Sequence, residues 1–119
     1  MAQLKARPQT YVAAAQFLGD RDSVKLGNNT YLERVTERVY EDGKMPQERT
    51  VIAVRLHNTQ IVRFYEDGTK SLHTGGWQTV TTKDRLNEFC GNKIFQQKRC
   101  WYYGSIEVPF YEGMLTLQS

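Results

Sequence analysis

The dipeptide Asp67-Gly68 constrains the fold most strongly, because it lies between two short segments of alternating polarity. Residues 60–65 precede it and residues 69–73 follow it. Asp-Gly readily adopts the positive φ values of a tight hairpin turn, so the two segments are predicted to pair as antiparallel strands. Residues 50–57 are rich in β-branched side chains and predict a central strand of the same sheet.

The remaining segments predict further strands and two short helices. Thr10 is the expected N-cap of a helix over residues 11–18, which ends at Gly19. Thr82 is the expected N-cap of a second helix over residues 83–90, which ends at Gly91. Further strands are predicted within residues 23–35, 93–99, 100–103 and 107–117. The predicted fold class is therefore α+β, a mostly antiparallel β-sheet with two short helices.

Length and charge limit the class of protein. The 119 residues predict a single domain, 1–119, with residues 1–9 as a flexible arm. The net charge of +3 gives a mild preference for anionic partners. Basic and acidic residues alternate instead of forming a basic block, so no stable nucleic-acid partner is expected. No apolar run is long enough to span a bilayer, so we expect no membrane partner.

The two cysteines and two histidines do not form a recognisable metal-binding pattern. Cys90 and Cys100 lack the spacing of paired metal ligands, and we expect them to be thiols of the core or of a strand edge. His57 and His73 do not complete a ligand set with them. No metal and no cofactor are therefore expected.

Residues 75–87 contain the densest group of candidate ligand-binding side chains. Two glycines at the start allow the backbone to bend or to approach a ligand closely. Trp77 offers a ring on which a base can stack. The hydroxyls of Thr79 and Thr82 and the cation of Lys83 follow, at a predicted helix start whose amides suit a phosphate. The alternative is a loop and a capped helix whose cations are merely solvated.

Arg55 interrupts the apolar alternation of the predicted central strand. An arginine at such a position needs a partner, because an unpaired buried cation is very costly. That partner is either a carboxylate of the protein or a phosphate of a ligand.

Catalytic signatures are missing from the chain. The sequence contains no Gly-x-Ser-x-Gly, no phosphate-binding Walker A lysine motif and no His-Glu-x-x-His. We therefore expect that the protein is not an enzyme. A ribonuclease-like use of His57 with His73 is the alternative that the residue types leave open.

Four segments of the chain resemble a family of small bacteriophage proteins. They are residues 25–32, 52–59, 65–68 and 75–87. Among such phage proteins, the layout is similar to the Thoeris anti-defence family, whose members bind and sequester cyclic ADP-ribose isomers made by bacterial TIR-domain enzymes. The resemblance implies a protein of the host cytoplasm that sequesters a cyclic nucleotide without cleaving it. It also implies a homo-oligomer with nucleotide pockets between protomers.

The resemblance implies roles for four individual residues. Trp77 would stack on the base, and Asn87 would make a polar contact with the ligand. Arg55 would bind a phosphate. A further arginine is expected from the C-terminal part, and Arg99 is the candidate.

Two other functions remain open. The first is a phage protein that inhibits a host defence complex by direct protein binding, although nucleic-acid mimics are usually acidic and this chain is basic. The second is a nucleic-acid-binding protein that uses nearby cations together with the aromatic residues Trp77, Trp101, Tyr102 and Tyr103. Some members of the Thoeris anti-defence family bind cyclic oligonucleotides at a separate site. Asn28 and Asn29 either form a turn or offer amides to such a second ligand.

Overall fold

The computed structural model describes residues 4–118, and these residues form two helices and nine strands. The helices are α1 (Tyr11–Leu18) and α2 (Val80–Cys90). The strands are β1 (Ser23–Gly27), β2 (Thr30–Val39), β3 (Gln47–Leu56), β4 (Thr59–Phe64), β5 (Thr69–Leu72), β6 (Ile94–Gln97), β7 (Cys100–Tyr103), β8 (Ser105–Pro109) and β9 (Met114–Leu117). The predicted α+β class with a mostly antiparallel sheet is confirmed.

The strands form two antiparallel sheets. The larger sheet has the order β1-β2-β3-β4-β5-β9, and the smaller has the order β6-β7-β8. The predicted hairpin joins β4 to β5, with Gly68 at a φ of 92°. The Asp67 side chain also accepts a hydrogen bond from the backbone nitrogen of Thr69 at 2.9 Å. This turn confirms the strongest prediction made from the sequence.

One face of the larger sheet forms the hydrophobic core with both helices. A row of paired residues crosses five strands on this face, and every member is buried: Leu32, Val54, Val62, Leu72 and Met114. Ala14 and Leu18 of α1, and Leu86 and Phe89 of α2, belong to the same cluster. Within residues 4–118, neither helix is long and apolar enough to cross a bilayer.

The helix α1 begins and ends where the sequence predicts. The Thr10 side chain accepts a hydrogen bond from the backbone nitrogen of Ala13, and Gly19 closes the helix at a φ of 62°. Of the predicted arm, residues 1–3 lie outside the described part of the chain, and residues 4–9 pack against the fold. Leu4 is buried, and the backbone nitrogen of Lys5 donates to the carbonyl of Leu26 at 2.8 Å.

The predicted start of α2 is wrong by three residues. Thr79, and not Thr82, is the N-cap, because its extended backbone lets its hydroxyl accept from the amide of Thr82 at 3.2 Å. Thr82 is therefore the third helical residue and is buried. Both threonines are suitable cap residues. The predicted end at Gly91 is confirmed, with a left-handed φ of 72°.

A buried lysine stabilises the other end of α2. Lys70 is 1% exposed, and its Nζ donates to the carbonyl oxygens of Phe89 at 2.9 Å and of Gln9 at 3.3 Å. Burial lowers the pKa of Lys70. The cation satisfies a carbonyl of the last helical turn and opposes the negative end of the helix dipole.

The strand predicted over residues 93–99 is also shorter than expected. It ends at Gln97, and Lys98 and Arg99 form the turn to β7 with φ values of 51° and 69°. Two consecutive positive φ values are typical of a two-residue hairpin turn. Arg99 is therefore exposed at a hairpin tip.

Candidate ligand-binding cleft

A cleft of about 360 Å³ lies where three segments meet. These segments are the turn between β3 and β4, the loop between β5 and α2, and the first turn of α2. The lining residues are Leu56, His57, Asn58, Thr59, Ile61, Thr74, Trp77 and Thr82. The volume is within the usual range for small-molecule sites.

Trp77 is the largest side chain of the cleft and is 68% exposed. Its backbone is held in place on both sides. The Trp77 nitrogen donates to the carbonyl of Thr74 at 3.1 Å, and the Trp77 carbonyl accepts from Thr79 at 3.0 Å. Tryptophan is highly buried on average, so this exposed ring beside a cleft is a candidate for contact with a ligand.

The loop that carries Trp77 is held by a carboxylate from another part of the chain. Glu112 lies between β8 and β9, and its carboxylate accepts from the backbone nitrogens of Thr74 at 2.9 Å and Gly75 at 2.7 Å. It also accepts from the Thr74 hydroxyl at 2.8 Å and from Gly76 at 3.4 Å. Successive backbone amides that converge in this way form an anion-binding concavity. In this fold, the anion is a side chain of the protein.

The two glycines of this loop have different surroundings. Gly75 has a φ of 65°, and a Cβ atom there would lie 2.8 Å from the side chain of Thr59. Gly76 has a φ of 90° and faces open space. The close approach that the sequence predicted for a ligand is made at Gly75 by Glu112 and Thr59.

The first turn of α2 extends the cleft. An adjoining depression of about 300 Å³ shares Leu56, His57, Trp77 and Thr82 with the cleft and adds Thr79 and Thr81. The Thr79 hydroxyl donates to the Thr82 hydroxyl oxygen at 3.1 Å. The Thr82 hydroxyl proton is therefore free to point toward a ligand, although Thr82 is itself buried. The amides at the start of a helix have no intrahelical acceptor, so this end also suits an acceptor group.

The structure brings three of the predicted site residues together and leaves Lys83 beside them. Trp77, Thr79 and Thr82 line the cleft or its extension. Lys83 follows in the same helical turn, where its backbone nitrogen donates to the carbonyl of Thr79 at 3.0 Å. Its side chain is not part of the lining.

Arg55 has a protein partner instead of a position in the cleft. Its Nε donates to Glu33 at 3.1 Å, and its Nη1 donates to the carbonyl of His57 at 2.6 Å. The guanidinium also lies 4.5 Å from the centroid of the Tyr31 ring. Of the two alternatives for Arg55, the structure selects the carboxylate of the protein.

Asn87 and Arg99 are also away from the cleft. The Asn87 amide nitrogen donates to the carbonyl of Ile94 at 2.8 Å, and its oxygen accepts from the nitrogen of Ile94 at 2.8 Å. Both ends of this amide are thus used to join α2 to β6. Arg99 is at the tip of the hairpin between β6 and β7. Neither residue lines the cleft, and the ligand contacts that the resemblance implied for them stay predictions.

Sequence reasoning missed two important members of the site. Thr74 is 1% exposed and lines the cleft, and Glu112 holds the loop from outside. Glu112 is an acidic residue before a glycine in a turn, which is ordinary in sequence. Its partner Gly75 is 37 residues away along the chain, so no local signal identified it.

The lining combines apolar surface with hydroxyl groups. Leu56 and Ile61 provide apolar surface, and threonine hydroxyls provide polar contacts at the edge. His57 is the titratable residue among the eight that line the cleft. His73, the second histidine of the ribonuclease-like alternative, instead approaches Ser71 at 2.8 Å. Within residues 4–118, no group of three or more His, Cys, Asp or Glu side chains is arranged to hold a metal ion.

Comparison with known proteins identifies the family. The chain folds as a small α+β protein with a candidate ligand-binding cleft. The family match shows that it is a bacteriophage protein. A model described as Kyanoviridae Gp96 protein matches residues 26–117, and the chain belongs to this family. The matched region includes every residue of the cleft and Glu112 but not α1. No curated protein and no solved structure matches the chain.

Proposed function

We propose that this phage protein binds a nucleotide-class signal of the host in the Trp77 cleft and sequesters it without cleaving it. Cyclic ADP-ribose isomers are the first ligands to consider, since the sequence resembles the Thoeris anti-defence family. The observation that carries the proposal is the exposed Trp77 ring beside a cleft with apolar surface and hydroxyl groups at its edge. Such a site suits a flat heterocycle with polar edges.

The proposed pose puts the base in the cleft and the phosphates outside it. Stacking of a base on Trp77 contributes about 1–3 kcal/mol. The hydroxyl of Thr82 donates to a ring nitrogen or a ribose oxygen. The phosphates extend toward the first turn of α2, where helix amides and the cation of Lys83 favour an anion. Arg55 is already paired with Glu33, so this pose assigns it no ligand contact.

Sequestration suits the cleft better than catalysis does. A hydrolytic site needs a nucleophile or a bound water with a general base within hydrogen-bonding reach. The Thr74 hydroxyl donates to the Glu112 carboxylate at 2.8 Å, but that carboxylate already accepts from the backbone amides of Thr74 and Gly75 and does not line the cleft. Among the described contacts, the side chain of His57 forms no hydrogen bond with a threonine of the lining. We therefore expect a bound ligand to stay intact and to be released unchanged when the protein is denatured.

Direct inhibition of a host protein is the second candidate. Leu115 and Leu117 of the edge strand β9 are 61% and 78% exposed. An apolar, uncharged edge strand is suited to pairing with another chain. This candidate predicts tight binding to a host protein and no retained nucleotide.

Native mass spectrometry of the purified protein with cyclic ADP-ribose isomers and cyclic oligonucleotides tests the proposal. We expect whole numbers of intact nucleotides to be retained, and the mass also reports whether the binding species is a homo-oligomer. Trp77→Ala should abolish retention. Trp77→Phe should keep part of it, because a smaller ring remains.

Val80→Ala is the matched control for the loss of Trp77. Val80 is 66% exposed at the start of α2, close to Trp77 in sequence, and is not part of the lining. The Val80→Ala variant should leave the retention of nucleotides unchanged. Equal retention by Trp77→Ala and wild type would exclude the cleft as the site. No retention of any nucleotide by the wild type would favour the direct inhibition of a host protein.

A further inference from the structure

We infer that Glu112 is a positioning residue of the Trp77 cleft, acting through the backbone amides of Thr74, Gly75 and Gly76. The inference rests on the proposed function only for its effect on ligand binding. Its structural part concerns the Trp77 loop and holds for a ligand of any class. Glu112 does not line the cleft, so its effect is transmitted through the loop.

The carboxylate acts as an internal anion in a site built from backbone amides. Both of its oxygens lie 2.9 Å from the nitrogen of Thr74, and one of them also lies 2.7 Å from the nitrogen of Gly75. The hydroxyl of Thr74 donates to the same oxygen at 2.8 Å and accepts from Gly76 at 3.1 Å. Hydrogen bonds to an ionised acceptor are stronger than those between neutral groups.

Besides the bonds to Glu112, the loop is held near Trp77 by two backbone hydrogen bonds, from Trp77 to Thr74 and from Thr79 to Trp77, and both partners belong to the same short segment. Residues 75–79 are all exposed, and Gly75 and Gly76 adopt positive φ values. A chain with two consecutive glycines gains much conformational entropy when it is released. Without the carboxylate, the amides of Thr74 and Gly75 would turn to water and the Trp77 ring would sample many positions.

A preorganised ring binds more tightly than a mobile one. A ligand that stacks on a mobile Trp77 must first restrict the loop, and that entropy cost reduces the affinity. We therefore expect Glu112→Ala to weaken binding of a cyclic ADP-ribose isomer by about tenfold or more, which is about 1.4 kcal/mol per tenfold. Glu112→Gln should have a smaller effect, because its amide oxygen can still accept from the loop.

NMR spectroscopy of the ¹⁵N-labelled protein tests the structural part without any nucleotide. Glu112→Ala should shift the amide signals of Gly75 and Gly76 and the indole signal of Trp77, which Trp77→Phe assigns. Adding sodium formate should move these signals back toward wild type, because formate supplies a carboxylate to the emptied amide site. Sodium chloride at the same ionic strength should not do so.

Glu107→Ala is the matched control for charge. Glu107 is an exposed glutamate of β8, and its side chain makes no hydrogen bond or ion pair among the described contacts. This variant should leave the Trp77 indole signal and the affinity unchanged. If Glu112→Ala destabilises the fold too far for NMR, Glu112→Gln serves in its place. It should shift the same signals by less, and formate should not change them, because the glutamine fills the amide site.

The outcomes separate the two proposals. Unchanged Trp77, Gly75 and Gly76 signals in the Glu112 variants would overturn the positioning role, whatever the ligand. Signals that are shifted in Glu112→Ala but not rescued by formate would also overturn it, because the amide site would not be what holds the loop. Shifted and rescued signals in a protein that retains no nucleotide would support the positioning role and reject the proposed function.

Discussion

The carboxylate of Glu112 lies 2.7 Å from the backbone nitrogen of Gly75, on the loop that presents Trp77 to the cleft. Gly75 also lies close to Thr59, whose side chain would be 2.8 Å from a Cβ atom at this position. Gly75 is thus enclosed by an acceptor from the turn before β9 and by the first residue of β4. These contacts connect the geometry of the cleft to the start of the interior strand β4 and to the turn before the edge strand β9.

Gly75→Ala should destabilise the protein more than Gly76→Ala does. Both residues have positive φ values that alanine adopts at a cost of about 1 kcal/mol. Only Gly75→Ala adds a clash with Thr59, which we expect to raise the total to about 2–3 kcal/mol. Urea denaturation measures both costs as free energies of unfolding.

Thr59→Ala provides the second half of this test. In the Gly75→Ala background it removes the two side-chain atoms that would lie 2.8 Å away and leaves Cβ at 3.4 Å. The double variant should therefore recover the steric part of the loss but not the part due to φ. Equal costs for Gly75→Ala and Gly76→Ala would contradict the enclosed position of Gly75.

Asn87→Ala should reduce stability without reducing affinity for the ligand. The Asn87 side chain makes two 2.8 Å hydrogen bonds to the backbone of Ile94, and both are lost. Leaving the Ile94 groups without these partners should cost about 1–3 kcal/mol. Thermal denaturation measures the loss of stability. Calorimetric titration of the folded variant with a cyclic ADP-ribose isomer measures the affinity, and a specific loss of affinity would restore the ligand contact that the sequence suggested.

Arg55 and Glu33 should be energetically coupled across β2 and β3. They form a half-buried pair at 3.1 Å, with 31% and 23% of their side chains exposed. Because solvent screens a pair of this exposure, a double-mutant cycle with Arg55→Met and Glu33→Gln should give a coupling of about 0.5–1 kcal/mol. A coupling of zero from urea denaturation would show that Arg55 contributes through its contacts with His57 and Tyr31 instead.

Acidification should destabilise the protein through His73. Burial lowers the pKa of His73 below its ordinary value of 6.5, although the carboxylate of Glu112 acts in the opposite direction. Between the folded-state pKa and 6.5, the unfolded chain binds more protons than the folded one. The free energy of unfolding should therefore fall as the pH decreases through this window, and the effect should be absent above it.

His73→Gln isolates this contribution, because glutamine can hydrogen bond to Ser71 but does not titrate. Urea denaturation at about pH 7.5 and about pH 5 should show a smaller loss of stability for His73→Gln than for wild type. Carboxylates affect both proteins alike, so the difference reports on the histidine. Equal losses of stability in the two proteins would mean that burial does not lower the pKa of His73.

Local backbone preferences were sufficient for much of the fold. Thr10 and Gly19 were predicted as the limits of α1, Asp67-Gly68 as a hairpin, and Gly91 as the end of α2, and the structure confirms each of them. These features depend on the conformations available to a few consecutive residues. The same reasoning failed at α2 because Thr79 and Thr82 are equivalent as cap residues, and the surrounding packing selects between them.

Trp77 was also predictable, since a tryptophan after two glycines in a polar segment is unusual in a core. Its exposure beside a cleft agrees with that expectation. The cleft could not be derived in the same way, because its lining combines residues 56–59, 61, 74, 77 and 82 from separate elements. Their meeting depends on the order of the strands in the sheet.

Only the tertiary structure determines which groups the Arg55 and Asn87 side chains bind. The alternation along β3 assigned Arg55 to a face, but the register with β2 decided that Glu33 would neutralise it. The Asn87 amide was equally suited to a ligand or to a backbone, and the position of β6 supplied Ile94. Local sequence therefore determined where the chain bends and which side chains are polar, whereas tertiary packing determined which of those polar groups remained available to a ligand. The physical reason is that backbone preference acts over a few residues, while hydrogen bonds and ion pairs form between groups that only the complete sheet brings to about 3 Å of each other.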